Sequence, residues 1–389
     1  GTTLTNYTLP TSATGAGSLG LRTLTVGYTG VNRTYDGTSV ATVTTTDDRV
    51  LNDVFTINRT ASFADKNVGT GKTISVYGVA LTGTDATNYL VSGTGSTSAD
   101  VTRLDSVTWI GGASGEWFNP ANWAVTGNLS LTGVVPDLNN VRIVLVPSGA
   151  GGAAISFDDS VAGLSAGALS GIVLVDSLTY QDSVALSNLN FKNGSLVVNN
   201  NATLGGFESA AGTTLTVGGT LGLDIATGAT QTMAGLFNGA GSLSKAGAGT
   251  LVMTGGSAYT GSTTISAGTL TLTGNRTAQM FTTTVGNVPG STGTLNIQNG
   301  NFTIGTGGST FVVGSGVDPT IFGVVNQSGG NITTIGNQLL LGVGTGTTVG
   351  SSATGTYNLS GGTLNTITGT LGVTIGTNQG ATGVFHLSG

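Results

Sequence analysis

Apolar and polar residues alternate in short stretches along this chain, and a period of two predicts β-strands. Gly355-Thr-Tyr-Asn-Leu-Ser and Leu371-Gly-Val-Thr-Ile are representative: strands of four to six residues bounded by glycine. Glycine at such boundaries permits sharp corners. No convincing amphipathic window of about 11 residues is present, so helices are not expected. The apolar residues are mainly Val, Leu and Ile set among Thr, the side chains that suit a pleated, half-buried surface. Gly, Asn and Asp then serve as turns.

Two repeats organise these strands. Gly1-Thr-Thr-Leu-Thr-Asn6-Tyr7 recurs as Gly83-Thr-Asp-Ala-Thr-Asn88-Tyr89. The chain is therefore expected to open on the tail of one module (residues 1–20, with a linker) and to continue through a complete copy (21–104), its parent extending upstream. A second repeat fills the C-terminal part. Gly293-Thr-Leu-Asn296, Gly323-Val-Val-Asn326, Gly355-Thr-Tyr-Asn358 and Gly383-Val-Phe-His386 align. So do Val285-Gly286, Val313-Gly314, Val343-Gly344 and Ile375-Gly376. The step from the first kind of glycine to the second is constant: Gly293 to Gly314, Gly323 to Gly344 and Gly355 to Gly376 all differ by 21 in numbering. The remaining segments measure 7, 9, 11 and 7. A constant core with a variable insert is what a solenoid coil shows, because the core stacks on its neighbours and the insert is a surface loop. Short strands, tight corners and coils of about 30 residues over 283–389 favour a parallel β-helix. A propeller blade is longer, about 40–50 residues. At about 4.8 Å per rung, the residues from 105 onward are expected to make roughly ten to fourteen coils.

Between the two regions, Trp109, Trp117 and Trp123 fall in one short window, 105–150. The first coil of a solenoid has an uncovered apolar end, so this window is expected to be a cap or junction, with a carbohydrate-stacking platform as the second reading of the three rings. The solenoid proper is placed at 151–389. The stacked Asn296, Asn326 and Asn358 suggest an amide ladder along the axis, with His386 a polar substitute in the same rank. Whether these side chains point in or out is open.

Composition narrows the functions. Charged residues are 7% of 389, against roughly 25% in ordinary domains. Cysteine is absent, which removes disulfides and thiolate metal sites. A net charge of −6 and pI near 4.5 speak against nucleic-acid partners. No apolar run is long enough to span a bilayer. No catalytic, cofactor or metal residues are proposed. After residue 200 the acids are Glu208, Asp224 and Asp318 and the bases Lys245 and Arg276, too few for the paired carboxylates of a glycosidase except by accident of register. The densest acidic group is Asp158-Asp159 with Asp176 and Asp182. It reads as a solvated loop, with loose Ca²⁺ binding the alternative. Lys66-Asn-Val-Gly69-Thr-Gly71-Lys72-Thr73 brushes the phosphate-loop pattern but has lysine where its first glycine belongs; a hairpin turn explains its glycines.

Thr34-Tyr35-Asp36-Gly37-Thr38, Phe63-Ala-Asp65-Lys66-Asn67-Val68-Gly69 and Gly83-Thr-Asp85-Ala-Thr-Asn88-Tyr89 closely resemble the YDG module of filamentous-haemagglutinin-like adhesins. Gly239-Ala-Gly241-Ser-Leu-Ser-Lys245-Ala-Gly247-Ala-Gly249 through Gly268-Thr-Leu270 resembles the autotransporter-associated repeat of passenger β-helices, which the chain carries over 239–274. The resemblance implies a right-handed parallel β-helix after a small β module, on a secreted or cell-surface protein of a Gram-negative bacterium. It also implies roles in adhesion, aggregation and biofilm. No catalytic motif accompanies these modules. The expected role is structural or adhesive: a rod or fibre for cell–cell or surface attachment, by self-association or through a glycan or surface receptor. A carbohydrate-binding or carbohydrate-cleaving β-helix is the alternative.

Overall fold

The computed structural model describes residues 15, 17, 20–147, 153–157, 173–175, 177–180, 188–192, 194–276, 282–304, 309–335, 338–344, 352–367, 372–377 and 380–388. Among these the secondary structure is strand, with two short 3₁₀ turns and no α-helix. The chain forms two compact units: residues up to 33 with 38–101, and residues 34–37 with 102–389.

The first unit is mainly antiparallel, with one parallel pair, Arg22–Leu24 against Tyr89–Val91. Val26–Gly30 pairs with Val43–Asp47, and Gly69–Thr82 lies between Thr56–Phe63 and Thr94–Thr102. Ile57, Phe63, Ile74 and Val76 build its core. The repeated Gly83…Asn88-Tyr89 motif has a physical job here. Gly83 has φ +137°, and a Cβ on it would stand 2.7 Å from the Phe55 Cα. Asp85 accepts the Val54 N–H at 2.8 Å. Tyr89 packs on Phe55, donates to Asp53 at 2.6 Å and accepts from the Val50 N–H at 2.8 Å. The glycines of Lys66–Thr73 are not in a hairpin turn. They lie inside the strand Gly69–Thr82, where a bulge between Gly69 and Lys72 offsets the pairing with Val101 and Ala99. Gly71 takes φ +60° there and gives its N–H to Asp100 at 2.7 Å. An extra residue in a strand calls for such a residue in αL.

The second unit is a parallel β-helix. Among the described residues, its two long sheets have 13 and 12 strands, and a third has five. The stack begins ahead of residue 151: Leu104–Trp109 pairs in parallel with Val141–Val146, and ten rungs of the longest sheet follow, from Val141–Val146 to Val373–Thr377. Inward residues form continuous, largely apolar columns. One runs Phe157, Phe191, then Ser209, Met233, Met253, Leu272 and Ile297. The coils differ in length. Near Lys245 the coil is short, and the register steps from Leu243 to Thr263. Farther on, Gly293, Gly323, Gly355 and Gly383 are directly paired, at wider steps of 30, 32 and 28 in numbering.

Two expectations change. First, the rank Gly286, Gly314, Gly376 is completed by Gly342 and not by Gly344. Val313 pairs with Leu341 and Leu341 with Ile375, and all four glycines have φ between +67° and +75°. The core step from Gly323 to Gly342 is therefore shorter by two than those from Gly293 to Gly314 and from Gly355 to Gly376. Second, not all strands are short. Phe322–Ile335 and Thr354–Ile367 run 14 residues and bend at Gly330 and Gly362, both in αL; their pairing shifts register between Gln327 and Asn331 and then resumes.

Candidate functional site: the tryptophan cap and the outward ladders

The cap is built from a tight chain of aromatic rings. Trp109 ends one strand and Trp123 starts the antiparallel strand that pairs with it, residue against residue. Trp117 lies between them in sequence, one residue after the strand Ser114–Glu116. The rings meet edge to face, Trp109 to Trp123 and Trp117 to Trp123 both at 5.1 Å between centroids. Such pairs favour this geometry over a flat sandwich. Contacts then continue from Trp117 to Phe157 (5.3 Å), to Phe191 (4.7 Å) and to Phe207 (6.1 Å), so one aromatic spine joins the cap to three successive coils. Every indole N–H is satisfied: Trp109 on the Gly112 carbonyl (2.8 Å), Trp117 on that of Pro136 (3.0 Å) and Trp123 on that of Trp117 (2.5 Å). The glycines around them are there for clearance. A Cβ at Gly111 would stand 2.5 Å from the Trp109 ring. Tyr35 seals the same unit, its hydroxyl donating to the Val135 carbonyl at 3.1 Å. The three indoles are at most 2% exposed. A stacking platform needs an open ring face, and none of the three presents one.

The second feature is on the surface. The side chains of Asn296, Asn326 and Asn358 point outward and are half-buried, because Leu295, Ile297, Val325, Gln327 and Tyr357 on either side of them fill the interior. The amides form a ladder. Asn358 donates to Asn326 at 2.8 Å, Asn326 to Asn296 at 2.9 Å, and Asn296 reaches Thr271 at 3.5 Å. His386, exposed, pairs with Asn358 at the next rung. A parallel ladder stands on the next stretch of the coil: Asn331 donates to Asn301 at 2.8 Å, and Thr363 to Asn331 at 2.6 Å. On this sheet the outward rank before the Asn ladder is Thr232, Val252 and Thr271. The outcome is a regular face of hydroxyls, methyls and mutually bonded amides.

Charge is almost absent from it. From residue 250 to the end the sequence holds two charged residues, Arg276 and Asp318. Asp318 is on a loop, its carboxyl held below the usual range by the Thr320 hydroxyl and N–H. Arg276 is buried at 6% exposure with its guanidinium 3.9 Å above the Tyr259 ring, and its Nε, Nη1 and Nη2 have no hydrogen-bond acceptor among the described residues. Lys245 is inward too, in register with Leu223 and Ile265. Its ammonium donates to the carbonyls of Ala246, Gly247 and Ala267 at 2.6, 2.8 and 3.2 Å. Burial pushes its pKa down to about 8, with Asp224 opposing. Sequence reasoning missed this side chain, although Lys245 shares the parity of inward Leu243.

Among the described residues, the two glutamates of the second unit share a face but stand apart. Glu116, Ser156, Asn190 and Glu208 form one outward column. Three rungs between the two glutamates make about 14 Å, beyond the roughly 5–9.5 Å that glycoside hydrolysis uses. Asp158, Asp159, Asp176 and Asp182 lie outside the described residues. Among those described, no group of three or more His, Cys, Asp or Glu stands in metal-binding reach, and no helix is long and apolar enough to cross a membrane.

A charge-poor parallel β-helix, capped by buried aromatics and preceded by an antiparallel β module, defines the class. Comparison with known families gives it a place: residues 21–99 match the YDG domain, and residues 243–276 match the passenger-associated-transport-repeat. The chain thus carries a YDG module and a passenger repeat, consistent with the passenger of an autotransporter-type surface protein. The repeat implies a secreted or surface-displayed passenger. No curated protein and no solved structure matches the chain.

Proposed function

We propose that this chain is a non-catalytic structural and adhesive segment of a large protein on the outer surface of a Gram-negative bacterium. It contributes a rod whose laddered faces make cell–cell or surface attachments. The observation that carries the proposal is the outward face from Thr271 to His386. It is regular and uncharged, and its amides bond to one another along the axis. Ten rungs at about 4.8 Å make a stack of roughly 50 Å. A surface with so little charge does little to repel a copy of itself, which supports lateral association into fibres. Sedimentation of the purified chain at rising concentration tests this. Self-association that persists from low to high salt is expected, and a strict monomer at high concentration in both would end the fibre reading. For the carbohydrate-cleaving alternative, the spacing of Glu116 and Glu208 is unfavourable. A polysaccharide-release assay is expected to show no product.

A further inference from the structure

The described residues carry a second feature that neither the ladders nor the cap uses. On the second unit, beside the strand Leu104–Trp109, two clefts adjoin. One, of about 440 Å³, is polar and is lined by Arg103, Asp105, Ser106, Thr126 and Arg142 among others. The other, of about 400 Å³, is lined mainly by Leu131, Val134, Thr132 and Ser130, with Asp36 on its wall. The two share Thr34, Leu104 and Val125, so they form one groove with a polar and an apolar end. Each part is of the size that holds a small ligand.

The groove concentrates charge in a unit that has little. Asp105 and Arg142 stand on neighbouring rungs, because Leu104 pairs with Val141. Their contact is loose: 3.9 Å, with the aspartate side chain 92% exposed and the arginine 55%. Exposed pairs of this kind contribute about 0–1 kcal/mol at best, so Arg142 is available to a better acceptor. Arg103 is fixed by comparison. It is half-buried and donates from Nη2 to the Val141 carbonyl at 2.8 Å. Hydroxyl side chains line the same cleft: Thr126, bonded to Thr108 at 2.8 Å, Ser106, and Thr102, which reaches Thr34 at 3.4 Å. A loosely held guanidinium such as Arg142 selects a carboxylate, which the planar fork grips through two parallel bonds. A ring of Ser and Thr hydroxyls suits a polyhydroxylated ligand. The apolar end, with Leu131 and Val134, suits the C–H face of a sugar ring.

We propose that this groove is a binding site for an acidic sugar, a hexuronic-acid unit whose carboxylate pairs with Arg142 and whose ring lies toward Leu131. The site rests on the attachment half of the proposed function and gives it a ligand class. It does not depend on self-association, since a monomer contains all of it.

Saturation-transfer NMR on the full chain tests the proposal, with glucuronate, glucose and inorganic phosphate as separate probes. Glucuronate is expected to bind in the range of about 1 mM, glucose and phosphate much more weakly. Arg142→Gln is surface-exposed and should fold as the parent does; loss of its charge-assisted pair should weaken glucuronate on the order of tenfold. Ser106→Trp, which fills the polar end without removing a charge, should weaken it as well. Equal binding of glucose would overturn the assignment, as would phosphate competing as well as glucuronate, no glucuronate signal at all, or a signal unchanged in both variants. Sedimentation of the same samples reports self-association independently, so failure of the groove and failure of the rod remain separate results.

Discussion

Replacing Trp117 with alanine should unfasten one end of the solenoid and leave the distant coils intact. Trp117 is fully buried, touches both Trp123 and Phe157 edge-on or tilted, and donates to the Pro136 carbonyl. A Trp→Ala change in a core costs about 3–5 kcal/mol from lost transfer energy and the cavity left behind. The two aromatic pairs add about 0.5–1.5 kcal/mol each, and a stranded buried carbonyl about 1–3 kcal/mol. Some of this overlaps, so about 5 kcal/mol is the expected local loss, comparable to the whole stability of a modest domain. In a stack held by nearest-neighbour contacts, a loss at one end frays that end first. Native-state hydrogen exchange should therefore show amides of Leu104–Trp109, Val141–Val146 and Ala154–Phe157 exchanging fast, while those of Phe322–Ile335 and Thr354–Ile367 keep their protection. Tryptophan emission should shift to the red as Trp109 and Trp123 become wet. Trp117→Phe, which keeps a ring but loses the N–H, should fall between. Protection lost evenly along the stack would refute the idea of a terminal cap held by an aromatic spine, and so would no loss anywhere.

Three further changes probe the interior and the ladders. Lys245 has a folded pKa of about 8 against about 10.4 unfolded, so between these values the unfolded chain holds the extra proton and stability rises with pH; Tm should climb from about pH 7.5 to about pH 9.5 in the parent and stay flat in Lys245→Met. Above about pH 10 the sign reverses, because burial raises the Tyr357 phenol and only the unfolded chain releases that proton, and a continued rise of Tm at about pH 11 would contradict this. Gly342→Ala must hold φ +67° with its Cβ 2.2 Å from the Thr382 carbonyl oxygen, and calorimetry should show a loss of about 2–4 kcal/mol. Asn326→Leu removes two ladder bonds from half-exposed partners, about 1–2 kcal/mol by denaturant titration, whereas a neutral result would mean that water replaces the amides fully.

The repeats made much of this architecture legible because a solenoid writes each rung as the same letter in the chain. Gly293, Gly323, Gly355 and Gly383 are paired because each backbone must pass close to the one below: a Cβ on Gly323 would stand 2.1 Å from the Val285 carbonyl oxygen, and one on Gly355 would stand 1.9 Å from that of Val313. The amide ladder was legible from spacing alone. Its direction was not, since a period of two separates the faces without naming them. Naming them needs a residue that tolerates one side only, and Tyr357 beside Asn358 is an ambiguous neighbour. Tyr357 is in fact inward, its hydroxyl spent on buried Gln327. The cap could be placed from its tryptophans, but the groove beside it could not. Arg103, Asp105 and Arg142 are dispersed in sequence, and a register between Leu104 and Val141 is needed to bring them together.

The misplaced glycine shows what a solenoid protects. Val343-Gly344 satisfies the sequence pattern as well as Leu341-Gly342 does, and the error is a shift of two. Two is the step that a strand tolerates, because a slip of one would carry every side chain to the other face. With the core segment from Gly323 to Gly342 shortened by one inward–outward pair, Leu339 and Leu341 still face inward beneath Phe311 and Val313. A shift of two therefore leaves the pattern of inward and outward positions intact while moving the corner that only φ distinguishes. Selection on burial fixes parity, and αL geometry fixes position. Gly323 is needed for close approach alone, whereas Gly342 both turns the corner and passes close to the Thr382 carbonyl; a motif of apolar residue plus glycine carries neither requirement and so cannot place the corner.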